Sequence, residues 1–308
     1  MRRIAALLCL LIAPGTMTAQ VTTERGLFEP TLHGTATFDP TQIAFLATGN
    51  YFIRPDIALT GEVAYARVDV GLDEFTAVQV MVGGLVLPLR FGERFQAGVG
   101  ARIGYADITD SEGDGIYALI AALRQGVTRY SALYHTVTYH ASFDGGHVWL
   151  LGSALVPGWR GGAGGTFFEP EKGRREIAWQ ANYFSASESL DLAARFAPFV
   201  SRQVQAGADL AFTRDFGLEQ TDVSAEGFAS YHVATGRALL PYLGPFAGYW
   251  KFAGADGTVT YGARGGVKLS RNEETSVFLE ALYRGFSEDA YGGLEGLELR
   301  LGTNIYPR

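Results

Sequence analysis

From Thr258 to Leu269 apolar and polar positions alternate. Val259, Tyr261, Ala263, Gly265, Val267 and Leu269 fall on one face, and Thr258, Thr260, Gly262, Arg264, Gly266 and Lys268 on the other. A period of two belongs to an extended strand, whose successive side chains point to opposite sides of a sheet. Segments of this kind recur about every 10–14 residues, separated by turn residues, so the chain reads as all-β. The pattern predicts strands near 31–38, 43–54, 56–67, 75–89, 94–106, 115–125, 130–142 and 147–156. A second set follows near 175–184, 189–200, 203–214, 221–234, 239–252, 257–269, 274–285 and 294–306.

Which solvent the apolar face meets is the next question. In water it turns inward to a core; in a barrel that crosses a bilayer it meets lipid, and the polar face lines the interior. Composition narrows the choice. The 308 residues include 40 Gly, 15 Tyr and 20 Phe but only 11 Pro, with a net charge of −7. After the first twenty residues no uninterrupted apolar run approaches the roughly 20 residues of a membrane-spanning helix. A hydrophobic share of 47% excludes a disordered chain. The acidic balance and the lack of a Lys/Arg cluster speak against a nucleic-acid partner.

Residues 1–19 read as a secretory signal: Arg2 and Arg3, then the apolar run Ile4 to Ala13, then Ala19 before Gln20 as the cleavage point. The single cysteine, Cys9, lies in that segment without a lipobox, so the exported chain is expected to carry neither disulfide nor thiolate site.

The rest repeats itself. Phe52-Ile53, Ile57, Glu62-Val63, Tyr65 and Arg67 match Phe199-Val200, Val204, Asp209-Leu210, Phe212 and Arg214, all at an offset of 147 residues. That offset also carries Phe95, Val99, Ile103 and Tyr105 onto Tyr242, Phe246, Trp250 and Phe252. At the front, Phe28-Glu29-Pro30 is matched to Phe168-Glu169-Pro170. Such a period is too long for a solenoid. The expected organisation is a first eight-strand unit at 20–156, a Gly-rich linker at 157–173 and a second unit at 174–308. The linker's GGAGG is not followed by Gly-Lys-Ser/Thr, so it reads as a flexible joint rather than a phosphate loop. Odd-to-even connections such as Asp107–Asp114 and Asp215–Gln220 are expected to be the longer loops, and even-to-odd ones such as Pro55-Asp56 the tight turns.

With these features the chain resembles the outer-membrane β-barrel proteins of Gram-negative bacteria, each unit resembling the small eight-stranded OmpA/OmpX-type barrels. The resemblance is one of pattern over nearly the whole exported chain. It departs at the end: members of the class usually finish on an aromatic residue, whereas here Tyr306 is followed by Pro307-Arg308. The resemblance implies an antiparallel transmembrane β-barrel of about sixteen strands from a duplicated unit, located in the outer membrane. A single barrel is preferred, with two tandem eight-stranded barrels as the alternative. It further implies a non-enzymatic role, as a passive small-solute pore or a structural envelope barrel, with outer-membrane lipid and the insertion machinery as partners, small solutes as candidate passengers and no cofactor. A barrel of the periplasm or cell surface that binds a lipid-like ligand is the rival class.

Taking alternate positions as inward, the second unit places Asp191, Arg195, Asp209, Glu226, Arg264, Lys268, Glu280, Arg284, Glu298 and Arg300 in the interior. Charges out of water must be paired, so acids and bases on one face predict a packed ion-pair network in preference to a solute-sorting lumen. In the first unit the inward charges read are Glu62 and Arg102, beside Gln79, Met81 and Gln96. Residues 115–125 are apolar on both faces, as expected for a strand with a filled core on its inner side. Tyr51, Tyr105, Trp149, Trp179, Tyr183, Tyr242, Trp250 and Tyr283 are expected at strand ends or outer faces, as interfacial girdles.

No His or Cys spacing suggests a metal site among His33, His135, His140, His147 and His232. His140 and Ser142 share one strand face, the pairing that some outer-membrane acyl hydrolases use. A nucleophile also needs a base within reach and an orienting group, and Gly-x-Ser-x-Gly is absent, so no catalytic residue is assigned.

Overall fold

The computed structural model describes residues 23–38, 41–70, 73–109, 113–160, 168–185, 188–235, 238–252, 256–287 and 295–307. The expected signal segment, Cys9 and the GGAGG stretch lie outside them. The first half contains β1 (Leu27–Phe38), β2 (Thr41–Arg54), β3 (Ile57–Val70), β4 (Asp73–Phe91), β5 (Phe95–Ile108), β6 (Asp114–Thr128), β7 (Ser131–Ser142), β8 (His147–Pro157) and the short β9 (Trp159–Arg160). The second contains β10 (Arg175–Phe184), β11 (Ser189–Pro198), β12 (Val204–Asp215), β13 (Gln220–His232), β14 (Leu239–Lys251), β15 (Thr258–Asn272), β16 (Thr275–Phe286) and β17 (Gly296–Ile305). All sixteen expected strands are present; β9, inside the expected linker, is additional.

Consecutive strands pair antiparallel along each half. Two seams then close the wall: β8 joins β10, with Leu150 opposite Phe184 and Ala154 opposite Gln180, and β17 joins β1, with Glu298 opposite Thr37 and Gly302 opposite His33. The result is one closed antiparallel barrel of sixteen strands. The expected contrast in connection length is only partly followed. Phe38–Thr41 and Val70–Asp73 are tight on the loop side, whereas His232–Leu239 is long on the turn side.

The alternation along β15 resolves as the period of two requires. Val259, Tyr261 and Leu269 are exposed on the outside, while Thr260, Arg264 and Lys268 are buried inside. The same holds around the ring, with Val82, Val99, Leu210, Leu243 and Tyr283 presenting an apolar outer band.

The barrel is not round. On the turn side the four seam strands change partners: Leu27 and Phe28 of β1 pair with Arg160 and Trp159 of β9, and Ile177 of β10 pairs with Ile305 of β17. Each half thus curls back on itself, and the wall narrows into two lobes, β1–β9 and β10–β17. Thr303 and Ile305 sit on the outward face of β17, and Pro30 and Ser153 on the outward faces of β1 and β8. All four are buried, since β8 and β17 approach each other and the lobes stand back to back. In a round barrel these positions would meet lipid.

Tight curling brings neighbouring strands close on the inside, where glycine is required. At the inward positions Gly83, Gly98 and Gly104 of the first lobe, and Gly244, Gly262 and Gly266 of the second, an added Cβ would press on a carbonyl oxygen of an adjoining strand. Larger inward residues then fill the lobes. Phe52, Leu85, Leu87, Ile120, Tyr134 and Val156 close the turn-side end of the first lobe. Phe168, Phe199, Leu240 and Tyr306 close that of the second, with Phe168 stacked on Tyr306 at 3.7 Å. Two of the expected girdle aromatics, Tyr242 and Trp250, belong to this interior. Tyr242 is buried beside His232, and Trp250 packs on Phe286 from the inward side of β14. Tyr51, Tyr105, Trp149 and Tyr283 are exposed on the outer face.

Candidate functional site: the lumen charge network

In the second lobe the charged side chains reach across the lumen rather than line it. Asp209 on β12 receives both Nε and Nη2 of Arg195 on β11, at 2.6 and 2.8 Å. Arg264 on β15 donates to the same carboxylate at 3.1 Å and to Glu280 on β16 at 2.7 Å. Arg195 also reaches Glu280, at 3.4 Å, from β11 on the opposite wall. One layer toward the loops, Arg284 pairs with Glu226 and, at 3.3 Å, with Glu298, which also accepts from Arg300 at 2.6 Å. One layer toward the turns, Lys268 binds Glu176 and donates to Gln205 at 2.9 Å. A strand pair such as β11 and β16 meets across the middle only if the cylinder is narrow. Eight strands make one just wide enough for its own side chains.

Aromatic rings separate the charged layers. The Arg264 guanidinium lies 3.8 Å from the centre of the Phe228 ring, and Arg284 lies 4.4 Å from that of Trp250. The Tyr242 hydroxyl donates to Glu280 at 2.7 Å. Glu176 and Glu280 are wholly buried, and Arg264, Lys268 and Arg284 almost so. Such pairs hold together because each charge is met from several sides; removing one partner leaves the other uncompensated in a low-dielectric interior.

Of the ten charges expected here, nine join the network. Asp191 does not: it lies toward the loops opposite Asn182 and Thr213 and makes none of these ion pairs. Glu176 takes its place, keeping five acids against five bases. It sits at the start of β10, where a single acid on a short strand gives little periodic signal. One signal was available. The offset of 147 carries Glu29 onto Glu176, and the strand register agrees, with Glu29 opposite Asn50 and Glu176 opposite Ala197. The correspondence of Phe28-Glu29-Pro30 with Phe168-Glu169-Pro170 is therefore corrected: residues 168–170 lie outside the strands.

The first lobe holds more charge than expected. Glu62 and Arg102 pair at 2.5 Å, Gln79 donates to Glu62 at 2.6 Å, and Arg102 also donates to Thr60 at 2.7 Å. Deeper lies a second pair, Glu29 with Arg124 at 2.5 Å, joined by the Tyr134 hydroxyl, which donates to Glu29. Gln96 links Arg124 to Thr23 of the N-terminal segment, at 3.4 and 3.0 Å. Arg124 was hidden at the end of a stretch that otherwise reads apolar on both faces. Each lobe thus joins an acid on its first strand to a base on its sixth: Glu29 to Arg124 and Glu176 to Lys268.

Toward the loops this packing thins. Gln42, Ala44 and Ala211 face inward yet are exposed, and Thr35, Asn182, Asp191 and Ser224 are partly so. A polar vestibule therefore opens on the loop side above two filled lobes. His140 and Ser142 face the first lobe from β7, and the Ser142 hydroxyl accepts the Gly146 amide at 3.0 Å, so this oxygen is engaged in its own turn.

No protein-family description and no curated protein matches the chain. Solved structures do. A bacterial polysaccharide outer membrane secretin superposes with a TM-score of 0.50 at 9% identity, over 92% of this chain and 99% of the other. OccD3 (OpdP) of Pseudomonas aeruginosa gives 0.41 at 9% identity over 94% and 92% of the two chains, and the CymD monoaromatic hydrocarbon channel 0.39 at 8% over 92% and 88%. At these identities the likeness is one of fold. What the chain shares with the secretin, an outer-membrane protein, is the closed antiparallel β-barrel.

Proposed function

We propose that the chain is a non-enzymatic barrel of the Gram-negative outer membrane that opens outward as a polar vestibule and is closed on its turn side by two side-chain plugs. It serves as a structural envelope barrel rather than an open diffusion pore. The observation that carries this reading is the contact of Arg195 with Glu280 across the second lobe at 3.4 Å. A passage wide enough for a hydrated solute and an ion pair spanning it are incompatible. The apolar outer band supports the membrane setting, since its exposed Val, Leu and Tyr side chains suit hydrocarbon. The expected signal segment at 1–19 supports export.

The test is conductance across planar bilayers by protein refolded from denaturant. The barrel should insert, resist detergent unfolding until heated, and pass no steady current. A stable, voltage-independent conductance of porin size would overturn the envelope reading. Protein that stays monodisperse and folded without detergent would instead favour a ligand-binding barrel outside the membrane.

A further inference from the structure

The two rims of the barrel carry similar apolar anchors but different charge. On the turn side, cations and exposed apolar residues share the rim: Arg54 follows Ile53, Arg202 comes just after Val200, and Arg90, opposite Gln96 on the inward side of β4, is flanked by the outward Leu89 and Phe91. Arg25, Arg129 and Lys172 are exposed on the same rim. Acids such as Glu24, Asp56, Glu93 and Glu171 are interspersed there.

On the loop side, Phe143, Phe216 and Leu218 are equally exposed, but their neighbours are Asp144, Asp215 and Glu219, with Glu188 and Asp256 nearby. Among the described residues the cations of that rim are Arg67, Arg214 and Lys251. The Arg214 guanidinium lies 5.9 Å from the centre of the Phe216 ring, so what distinguishes the rims is the balance of charge along each, mixed on the turn side and predominantly acidic on the loop side.

We propose that the turn-side rim binds the headgroups of anionic phospholipids, its guanidinium groups meeting the phosphodiesters while the adjoining Ile, Leu, Phe and Val side chains enter the acyl region. Cations at a bilayer surface are attracted to anionic lipid, and the attraction decays within a Debye length. Arginine suits the role because its planar fork can donate two hydrogen bonds to one phosphate. On the loop rim acids outnumber Arg67, Arg214 and Lys251 among the described residues, so the two leaflets are not equivalent for this barrel. The inference rests on the membrane reading above.

Spin-labelled phosphatidylglycerol and phosphatidylcholine, exchanged in turn into phosphatidylcholine vesicles holding the refolded barrel, give the relative affinity of each lipid for the protein surface. Wild type should prefer the anionic lipid on the order of severalfold, and 1 M salt, where the Debye length is about 3 Å, should erase the preference. The combined variant R54Q/R90Q/R129Q/R202Q should fold and insert but bind both lipids alike. The loop-rim variant D144N/E188Q/E219Q should keep the wild-type preference or raise it. Equal affinities for wild type, or a preference that survives in the arginine variant, would overturn the proposal. Protein that enters neither kind of vesicle would overturn the membrane reading itself.

Discussion

Glu29 and Glu176 occupy the same place in the two lobes: each begins the first strand of its half, is buried from solvent, and is held by a base from the sixth strand, Arg124 or Lys268. The acids differ in their further partners. Tyr134 donates to Glu29, whereas Gln205 donates to Glu176 at 2.9 Å. Each pair is the deepest charged layer of its plug, which makes it the place to test what the plugs do.

Replacing Lys268 with Met should lower the urea midpoint by the equivalent of about 3–5 kcal/mol, because Glu176 is left without its closest cation. Adding Glu176→Gln should recover part of that loss, since the uncompensated charge goes. Urea titration of the two variants checks the order. A double variant less stable than the single would mean that the pair is not the unit of stabilisation.

Neutralising Arg264 and Lys268 together separates a plug from a pore lining. In a lined pore, loss of fixed wall charge shifts the reversal potential in a salt gradient toward cation selectivity. In a filled lobe it mainly destabilises, and that is the expected outcome: a lower urea midpoint with no new current. Selective conductance at undiminished stability would contradict the packed second lobe.

The outer face can be probed at Ala263, which is exposed on β15 between the inward Gly262 and Arg264. Arginine there should cost about 2–4 kcal/mol of folding in lipid if the site lies near mid-membrane. Ala44 faces the vestibule and is equally exposed, yet arginine there should cost much less because its charge stays in water. Equal costs at the two positions would show that the faces are misassigned.

A cysteine pair tests the waist. Ile177 and Ile305 are register partners, and antiparallel partners have Cα atoms about 4.5–5.5 Å apart, within the range of a disulfide. The only native cysteine, Cys9, lies in the expected signal segment, so the exported chain offers a clean background. The variant I177C/I305C should oxidise to an internal crosslink detectable by mass spectrometry in the folded barrel. Two free thiols after mild oxidation of folded protein would argue for a round wall.

The strands and faces were legible in the alternation because that signal is local: Val259 and Thr260 need only know which side of their own strand they occupy. The nine network charges could be read for the same reason. The waist could not, since it depends on Ile177 meeting Ile305 and on Leu27 meeting Arg160, pairings far apart in sequence that no period encodes. Asp191 shows the limit from the other side. Its inward face was read, but its depth along the barrel decides whether it meets a cation, and depth is set by the stagger of the seams. Tyr242 and Trp250 are expected from residue type at strand ends or outer faces, and although Trp250 is at the end of β14, their even-numbered positions put both on the inward side with Phe246.

β1 divides its outer edge between two partners, β17 on the loop side and β9 on the turn side, and this has a consequence for how the barrel is made. His33 must wait for Gly302, near the far end of the chain, whereas Phe28 can meet Trp159 once the first half exists. Closing so long a loop is entropically costly before contacts repay it, and folds rich in such pairings are slow. The first half can therefore curl early around Glu29 and Arg124, but its leading strand remains half open until the last strand arrives. The order of pairings along the chain makes closure of the β1–β17 seam the expected last event of assembly.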